Sequence, residues 1–432
     1  MLQLLTLPIL SLGRTGPYVA LLQLALDRAG FSLKKDGFFG PATLAALRAF
    51  QTANSLTADG IAGRYTWRAL TPWLLGYAEH TVKSGETLYR LSLMYGTTLR
   101  AIEIANPDAD ALALPVGARL VIPFAFPVVP ADVSFTPTLL AFCVAGLKAR
   151  YPFLETGSVG ASVMNRPLHY LRIGVGSTEV FYNAAHHANE WITAPLLMRF
   201  LENYARAYAM GASLSGESAS RLYASTALYV MPMVDPDGVS LVTGELDSGP
   251  YFEQAAAIAA DYPAIPFPEG WKANIAGVDL NLQYPAGWDN AKAIKFAQGF
   301  TSPAPRDFVG VSPLAAPESR AVYDFTRYHD FALTISYHTQ GRVIYWRYLD
   351  AMPEGAYEIA LKFSAASGYA VENVPAGSAY AGYKDWFIAA FDRPGFTIEA
   401  GYGTAPLPLS QFSEIYAANE GILVIGLTAG GS

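Results

Sequence analysis

Apolar residues recur at helical spacing in YVALLQLALDRAGF and again in TLAALRAFQTAN, which predicts a small all-α unit over residues 1–75. Two copies of D-G-x-x-G-x-x-T punctuate it, beginning at Asp36 and Asp59. In each copy the Asp-Gly pair suits a tight turn, and Thr43 or Thr66 is expected to cap the helix that follows. Over residues 78–124 the pattern changes. A short strand at His80 leads through Ser-Gly-Glu-Thr into an amphipathic helix carried by Leu88, Leu91 and Tyr95. A second short helix closes at Asn106-Pro107, and RLVIP after Gly117 forms a last strand, giving a βααβ order. Residues 125–135 form a linker: Pro127 and Pro130, with Pro137 just beyond, predict an extended, semi-rigid spacer. From 136 to 432, apolar runs such as YLRIGVG, EVFYNAA, ALYVMPMV, FALTISYH and GFTIEAG alternate with helical stretches. That alternation predicts an α/β domain with a mixed sheet and flanking helices, with its chemistry in loops at strand ends. The fold class expected is therefore multidomain.

Composition narrows the function. With 52% hydrophobic and 15% charged residues the chain is that of a folded protein. A net charge of −7 argues against nucleic acid or an anionic membrane as the partner. Cys143 is the single cysteine, which excludes an intrachain disulfide and a cysteine-rich metal site; within LLAFCVAG it reads as a buried, inert thiol. No apolar run reaches membrane-spanning length. The start, MLQLLTLPILSL, lacks a preceding basic residue and a small-residue cleavage site, so it reads as structure rather than a signal peptide. Cytoplasmic synthesis with an undefined export route is the expectation.

The candidate ligands follow predicted strands. EVFYNAAHHANEWIT carries His187 and Glu190 three residues apart, close enough to face one point, and ISYHTQG supplies His338. Two imidazoles and a carboxylate make a catalytic zinc set with an open position. His186 competes with His187 at this level. Glu399, ending the apolar run PGFTIEAG, is a carboxylate placed where burial demands a reason, and suits a general base.

Residues 10–72, with two D-G-x-x-G turns and the Phe50-Gln51 pair, resemble the helical peptidoglycan-binding domain of bacterial wall hydrolases. Residues 78–124 resemble a LysM domain over its full length, which implies binding to N-acetylglucosamine-containing glycan. HANEWIT, PMVDPDG, GVDLN, SYHTQG and TIEAG stand in the order seen in zinc carboxypeptidases of the carboxypeptidase A type, over most of 135–432. That resemblance selects His187, with Glu190 and His338, as ligands of one zinc ion per chain and makes Glu399 the base. It implies substrate contacts at Asn281 and Thr339 and a tyrosine at Tyr380 or Tyr383. Lys272, in WKAN, falls near the arginine that polarises the scissile carbonyl.

The sequence departs from the family pattern at the residue that grips a C-terminal carboxylate. That arginine is Leu282 here, which cannot form bidentate charged hydrogen bonds, and Asn189 replaces a second arginine. These departures resemble the γ-D-glutamyl-meso-diaminopimelate peptidases, so peptidoglycan stem peptides are the expected substrate. The cell wall or the spore is the expected place of action. Arg306, Arg342 and Arg347 are candidates for recognising the diaminopimelate carboxylate. The alternatives are a carboxypeptidase acting on ordinary C-termini and a wall-binding protein with an inactive peptidase domain.

Overall fold

The computed structural model describes residues 7–111 and 113–430, so part of the start read above as folded structure lies outside the described residues. The chain divides into two compact units, residues 1–134 with 138–155, and residues 135–137 with 156–432.

The first unit opens with three helices, Pro17–Arg28, Pro41–Ala53 and Arg64–Leu75. The internal repeat has a common physical core. Gln23 Nε2 donates to Asp36 Oδ1 at 3.0 Å and Thr43 Oγ1 at 3.1 Å, while Gln23 Oε1 accepts from Gly37 N at 2.9 Å. Gln51 repeats this with Asp59 Oδ1, Thr66 Oγ1 and Gly60 N. One buried glutamine thus closes each D-G-x-x-G-x-x-T turn. Thr43 and Thr66 do not cap their helices, as the sequence suggested. The N-cap positions are Gly40 and Gly63, and the threonines lie inside the first turn, where the glutamine amide reaches them.

The βααβ segment forms as predicted. Tyr77–Thr81 pairs antiparallel with Arg119–Pro123, and helices Leu88–Tyr95 and Leu99–Ala105 lie between them in sequence. Thr87 and Thr98 cap these helices through Arg90 N and Ala101 N. Asn106 clamps the last strand with both ends of its amide: Oδ1 accepts from Val121 N, and Nδ2 donates to Val121 O. Val82, Leu88, Leu91, Ile102, Leu120 and Ile122 fill the core.

Where the prolines predict a spacer, the chain is packed. Phe124 stacks on Trp73 with ring centroids 4.5 Å apart, and Arg28 donates to the carbonyls of Pro127 and Val128 at 2.9 Å. The apolar residues between the prolines, Val128 and Val129, are buried and override the extended tendency. The helix Pro137–Arg150 also packs within this first unit. Gly146 lets it approach the Leu75 carbonyl so closely that a Cβ would collide, and Arg150 Nε donates to Gly76 O at 3.1 Å. Cys143 is buried there.

The second unit is built on an eight-stranded mixed sheet. Its spatial order is Ala370–Glu372, Val343–Tyr345, Gly395–Glu399, Phe331–His338, Thr178–Ala184, Thr226–Met231, Pro167–Ile173 and Glu155–Ala161. The four central strands, Gly395–Glu399 to Thr226–Met231, run parallel. Both faces are covered, so these strands read as near-continuous apolar runs. Successive residues serve opposite faces: Phe181 joins the cluster of Tyr284, Tyr383, Trp386 and Phe387, while the Tyr182 hydroxyl donates to Leu423 O in helix Phe412–Ala429. Parallel pairing brings the C-terminal ends of neighbouring strands to one edge, with Glu399 opposite His338 and Ala184 opposite Tyr337. None of the described helices is long and apolar enough to cross a membrane.

Candidate active site

Three loops leaving that edge converge. After Ala184 the chain turns through Ala185, at φ 50°, into His187 and a single 3-10 turn, Ala188–Glu190. His187 Nδ1 lies 3.0 Å from Glu190 Oε1, and His338 Nδ1 lies 2.9 Å from Glu190 Oε2. The two Nδ1 atoms are 3.2 Å apart. One shared proton is the most this nitrogen pair can use, so the arrangement suits a cation better than a hydrogen-bond network. Zinc accepts imidazole nitrogen and carboxylate oxygen, and among the described residues these three form the group able to hold a metal. His186 does not join them. Its Nε2 meets the Tyr284 hydroxyl at 2.9 Å, and burial pushes its ring well below the ordinary histidine range.

Asp279 was not singled out in the sequence, although it stands in the GVDLN motif. Its Oδ1 lies 3.1 Å from His187 Nε2 and fixes the ring with Nδ1 turned to the cluster. Asp307 N and Asn281 N donate to the same carboxylate. Burial opposes its ionisation, but His187 and Lys272 hold it well below the usual carboxylate range. Asp279→Asn is expected to weaken zinc binding by roughly 10- to 100-fold, read by competition against a chromogenic chelator. An unchanged affinity would remove Asp279 from this role.

Burial lowers the tendency of His187 to protonate, yet Glu190 and Asp279 win and raise its pKa to about 9. The ring must release that proton to coordinate a metal. Apparent zinc affinity is therefore expected to rise by roughly tenfold per pH unit up to about 9. A flat profile across the neutral range would contradict this.

Glu399 ends its strand in the same cleft, which His338, Thr339, Asn281 and Leu282 also line. Burial, reinforced by the negative charge of Glu190, pushes its carboxyl up to about 8, with Lys272 and His187 opposing. A carboxyl poised near neutrality is suited to both taking and giving a proton. Lys272 Nζ lies 3.0 Å from Glu190 Oε1. Thr339 N donates to Glu190 Oε2 at 3.2 Å, and the buried Thr339 Oγ1 has no hydrogen-bond partner among the described residues.

Tyr380 and Tyr383 do not share the cleft. The Tyr383 hydroxyl is buried against Thr326 Oγ1 at 3.0 Å, inside the aromatic core, and only its backbone N–H reaches Asn281 Oδ1. Tyr380 packs on the cluster of Leu282, Trp288 and Ala381. The tyrosine that does line the cleft is Tyr345, whose hydroxyl burial and the Glu399 charge hold above its ordinary pKa. It lies on a three-residue strand too short to show a period. Of the three arginines named, Arg306 lines the cleft. Arg342 lies over the Tyr369 ring and pairs with Glu414, and Arg347 offers its backbone carbonyl to Lys384.

The zinc carboxypeptidase family profile matches residues 142–416, a peptidoglycan binding domain profile matches 15–70, and a LysM profile matches 80–123. The chain belongs to the zinc carboxypeptidase family and is a metallopeptidase that carries a peptidoglycan binding domain and a LysM domain. It is 44% identical over 284 residues to gamma-D-glutamyl-L-diamino acid endopeptidase 1 of Lysinibacillus sphaericus, across 65% of this chain and 69% of that protein. It is 39% identical over 276 residues to the uncharacterized protein YqgT of Bacillus subtilis, across 63% and 72%. Carboxypeptidase A from Helicoverpa armigera shares the fold, with a TM-score of 0.53 at 20% identity over 70% of this chain and 75% of that one. Bovine thrombin-activatable fibrinolysis inhibitor does likewise, at 0.53 and 18% over 68% and 96%.

Proposed function

We propose that this protein hydrolyses the bond between γ-linked D-glutamate and a diamino acid, meso-diaminopimelate, in peptidoglycan stem peptides. The similarity to a gamma-D-glutamyl-L-diamino acid endopeptidase, 44% identical over 284 residues, carries this reading. Leu282 supports it, because an apolar wall stands where a carboxypeptidase needs a charged clamp.

His187, Glu190 and His338 would hold zinc, which supplies Lewis acidity that polarises the scissile carbonyl and brings the pKa of a water close to neutrality. Glu399 takes a proton from the attacking water as its oxygen bonds to the carbonyl carbon. Lys272, with one donor on Glu190 among the described residues, would stabilise the developing oxyanion. As the C–N bond breaks, Glu399 passes its proton to the departing amino nitrogen of diaminopimelate. The products are a D-glutamyl carboxyl group and the freed amine, and transfer of the remaining water proton from the first to the second leaves carboxylate and ammonium.

A pair of isomeric tripeptides tests the bond, one γ-D-glutamyl-linked and one α-L-glutamyl-linked to the same diamino acid. The γ-linked isomer is expected to be cut with a kcat/KM at least about 100-fold higher, since a misplaced scissile carbonyl loses alignment with base and cation. Equal rates would favour a general carboxypeptidase.

The LysM domain would hold N-acetylglucosamine-containing glycan, which supports action on the cell wall. Tethering raises local substrate concentration. Soluble N-acetylglucosamine oligomers are thus expected to slow digestion of intact wall and leave tripeptide hydrolysis unchanged. Equal inhibition of both would contradict a tether.

A further inference from the structure

The basic side chains lining the cleft are not evenly matched by acids. Lys272 faces Glu190 and Lys384 faces Asp385, whereas Lys295 and Arg306 share the single carboxylate of Asp307 at 2.6 Å each. One positive charge is left over, and the geometry shows which group carries it. Lys295 is buried and already neutralises Asp307 through Oδ1. Arg306 reaches Oδ2 with Nε alone. Neither of its terminal nitrogens has a hydrogen-bond partner among the described residues, and the side chain is 44% exposed. A guanidinium held in this way presents its two terminal nitrogens as a fork that matches a carboxylate.

The fold fixes that fork beside the reacting centre. Pro305 O accepts from Lys272 N at 2.7 Å and from Ala273 N at 2.9 Å, so Arg306 leaves the backbone next to Lys272. Asp307 is left-handed, at φ 64°, a conformation that a non-glycine residue keeps only where its surroundings hold it. Its N–H donates to Asp279 Oδ2 at 3.2 Å, and Asp279 in turn orients His187. Burial opposes the charge of Arg306, but Asp307, Asp279 and Glu190 outweigh it. The same guanidinium is felt at Lys272, whose charge it opposes. Fold stability gives little reason for a second cation here, since a partly exposed ion pair contributes little and Lys295 already supplies one.

Lys272 also indicates which half of the substrate lies there. In the mechanism above it acts on the oxygen of the scissile carbonyl, and that carbonyl belongs to the glutamyl residue. A γ-linked D-glutamate keeps its α-carboxylate free, a few bonds from the scissile carbon. Most α-linked residues carry no anion at that distance.

We propose that Arg306 is the specificity residue for the acyl half of the substrate, binding the free α-carboxylate of the γ-linked D-glutamate. The assignment rests on the γ-D-glutamyl–diamino acid reading above. It gives Arg306 a different carboxylate from the diaminopimelate one that the sequence suggested. It also makes the enzyme selective for stem peptides with unamidated D-glutamate, because D-isoglutamine, the α-amide, offers the fork no anion.

The test uses the zinc-loaded full-length enzyme and three tripeptides. These are L-Ala-γ-D-Glu-meso-diaminopimelate, its D-isoglutamine form, and a form amidated on the diaminopimelate side-chain carboxyl instead. Wild type is expected to cut the parent with a kcat/KM at least about tenfold above that for the D-isoglutamine form, the lower end for a charge-assisted contact because Arg306 is partly exposed. Arg306→Gln should fall by a similar factor on the parent and stay within about threefold on the D-isoglutamine form. Its zinc content should match wild type, because Lys295 still holds Asp307. Arg306→Lys keeps the charge without the fork and should retain part of the preference; it takes the place of the glutamine variant should that fail to fold. Wild-type indifference to α-amidation, or an equal loss on both peptides in Arg306→Gln, overturns the assignment and leaves the γ-glutamyl reading intact. A preference that Arg306→Gln abolishes only against the diaminopimelate amide overturns it too, by moving Arg306 to the leaving half. A zinc-loaded wild type that cuts none of the three but does cut α-linked peptides overturns that reading and the site with it.

Discussion

Glu399→Gln is expected to lower kcat by on the order of 10² to 10⁴, with zinc content and thermal unfolding close to wild type. Glutamine has the shape of the carboxylate but can neither accept the proton of water nor return one to an amine. The substitution leaves His187, Glu190 and His338 in place, and Glu399 makes no ion pair whose loss would disturb them within hydrogen-bond range among the described residues. It also removes a carboxyl whose ionisation burial and Glu190 hold up to about 8. KM for the tripeptide should change little, because the lost interaction acts in the transition state. Near-normal turnover by a fully zinc-loaded variant would end the base assignment.

The second large effect is expected from Glu190→Gln. Glu190 touches both histidines, Lys272 Nζ and Thr339 N, and its carboxyl is held well below the ordinary range, burial opposing and His187 with Lys272 prevailing. An amide in its place removes one ligand and the negative charge that balances Lys272. Zinc affinity should fall by more than the roughly 10- to 100-fold set for the supporting Asp279. Peptide hydrolysis should drop to background at stoichiometric zinc, and elemental analysis of the dialysed variant should find little metal. Full zinc content in the variant would show that the cluster is not the binding site.

How far the sequence reaches depends on the distance over which a feature is encoded. The two turn–helix corners, the βααβ segment and the strands of the second unit are local patterns, and each forms where its pattern lies. The candidate ligand set was legible because a polar or charged side chain at the end of an apolar strand is costly to bury unless it binds something. His187 could not be separated from His186 by spacing alone, since both follow the same strand. The structure separates them through partners 98 and 92 residues away, Tyr284 for His186 and Asp279 for His187.

What escaped the sequence is mostly tertiary. Prolines at 127 and 130 argue locally for a spacer, whereas Trp73 and Arg28, far back in the chain, hold that segment down. Thr43 and Thr66 carry the right side chain for a cap, but they stand inside the first turn, behind Gly40 and Gly63, where each hydroxyl oxygen accepts from a buried glutamine amide. Tyr383 sits in a motif that promised a cleft residue. Its helix begins there with Lys384 and Asp385 facing the cleft, so the preceding tyrosine side chain is carried into the core.

Digestion of L-Ala-γ-D-Glu-meso-diaminopimelate by zinc-loaded protein, followed by mass spectrometry with and without a chelator, tests the central claim most directly. The expected result is release of L-Ala-D-Glu and free diaminopimelate, abolished by the chelator and restored by added zinc. An intact tripeptide in the presence of stoichiometric zinc, or cleavage that persists in the chelator, would contradict it.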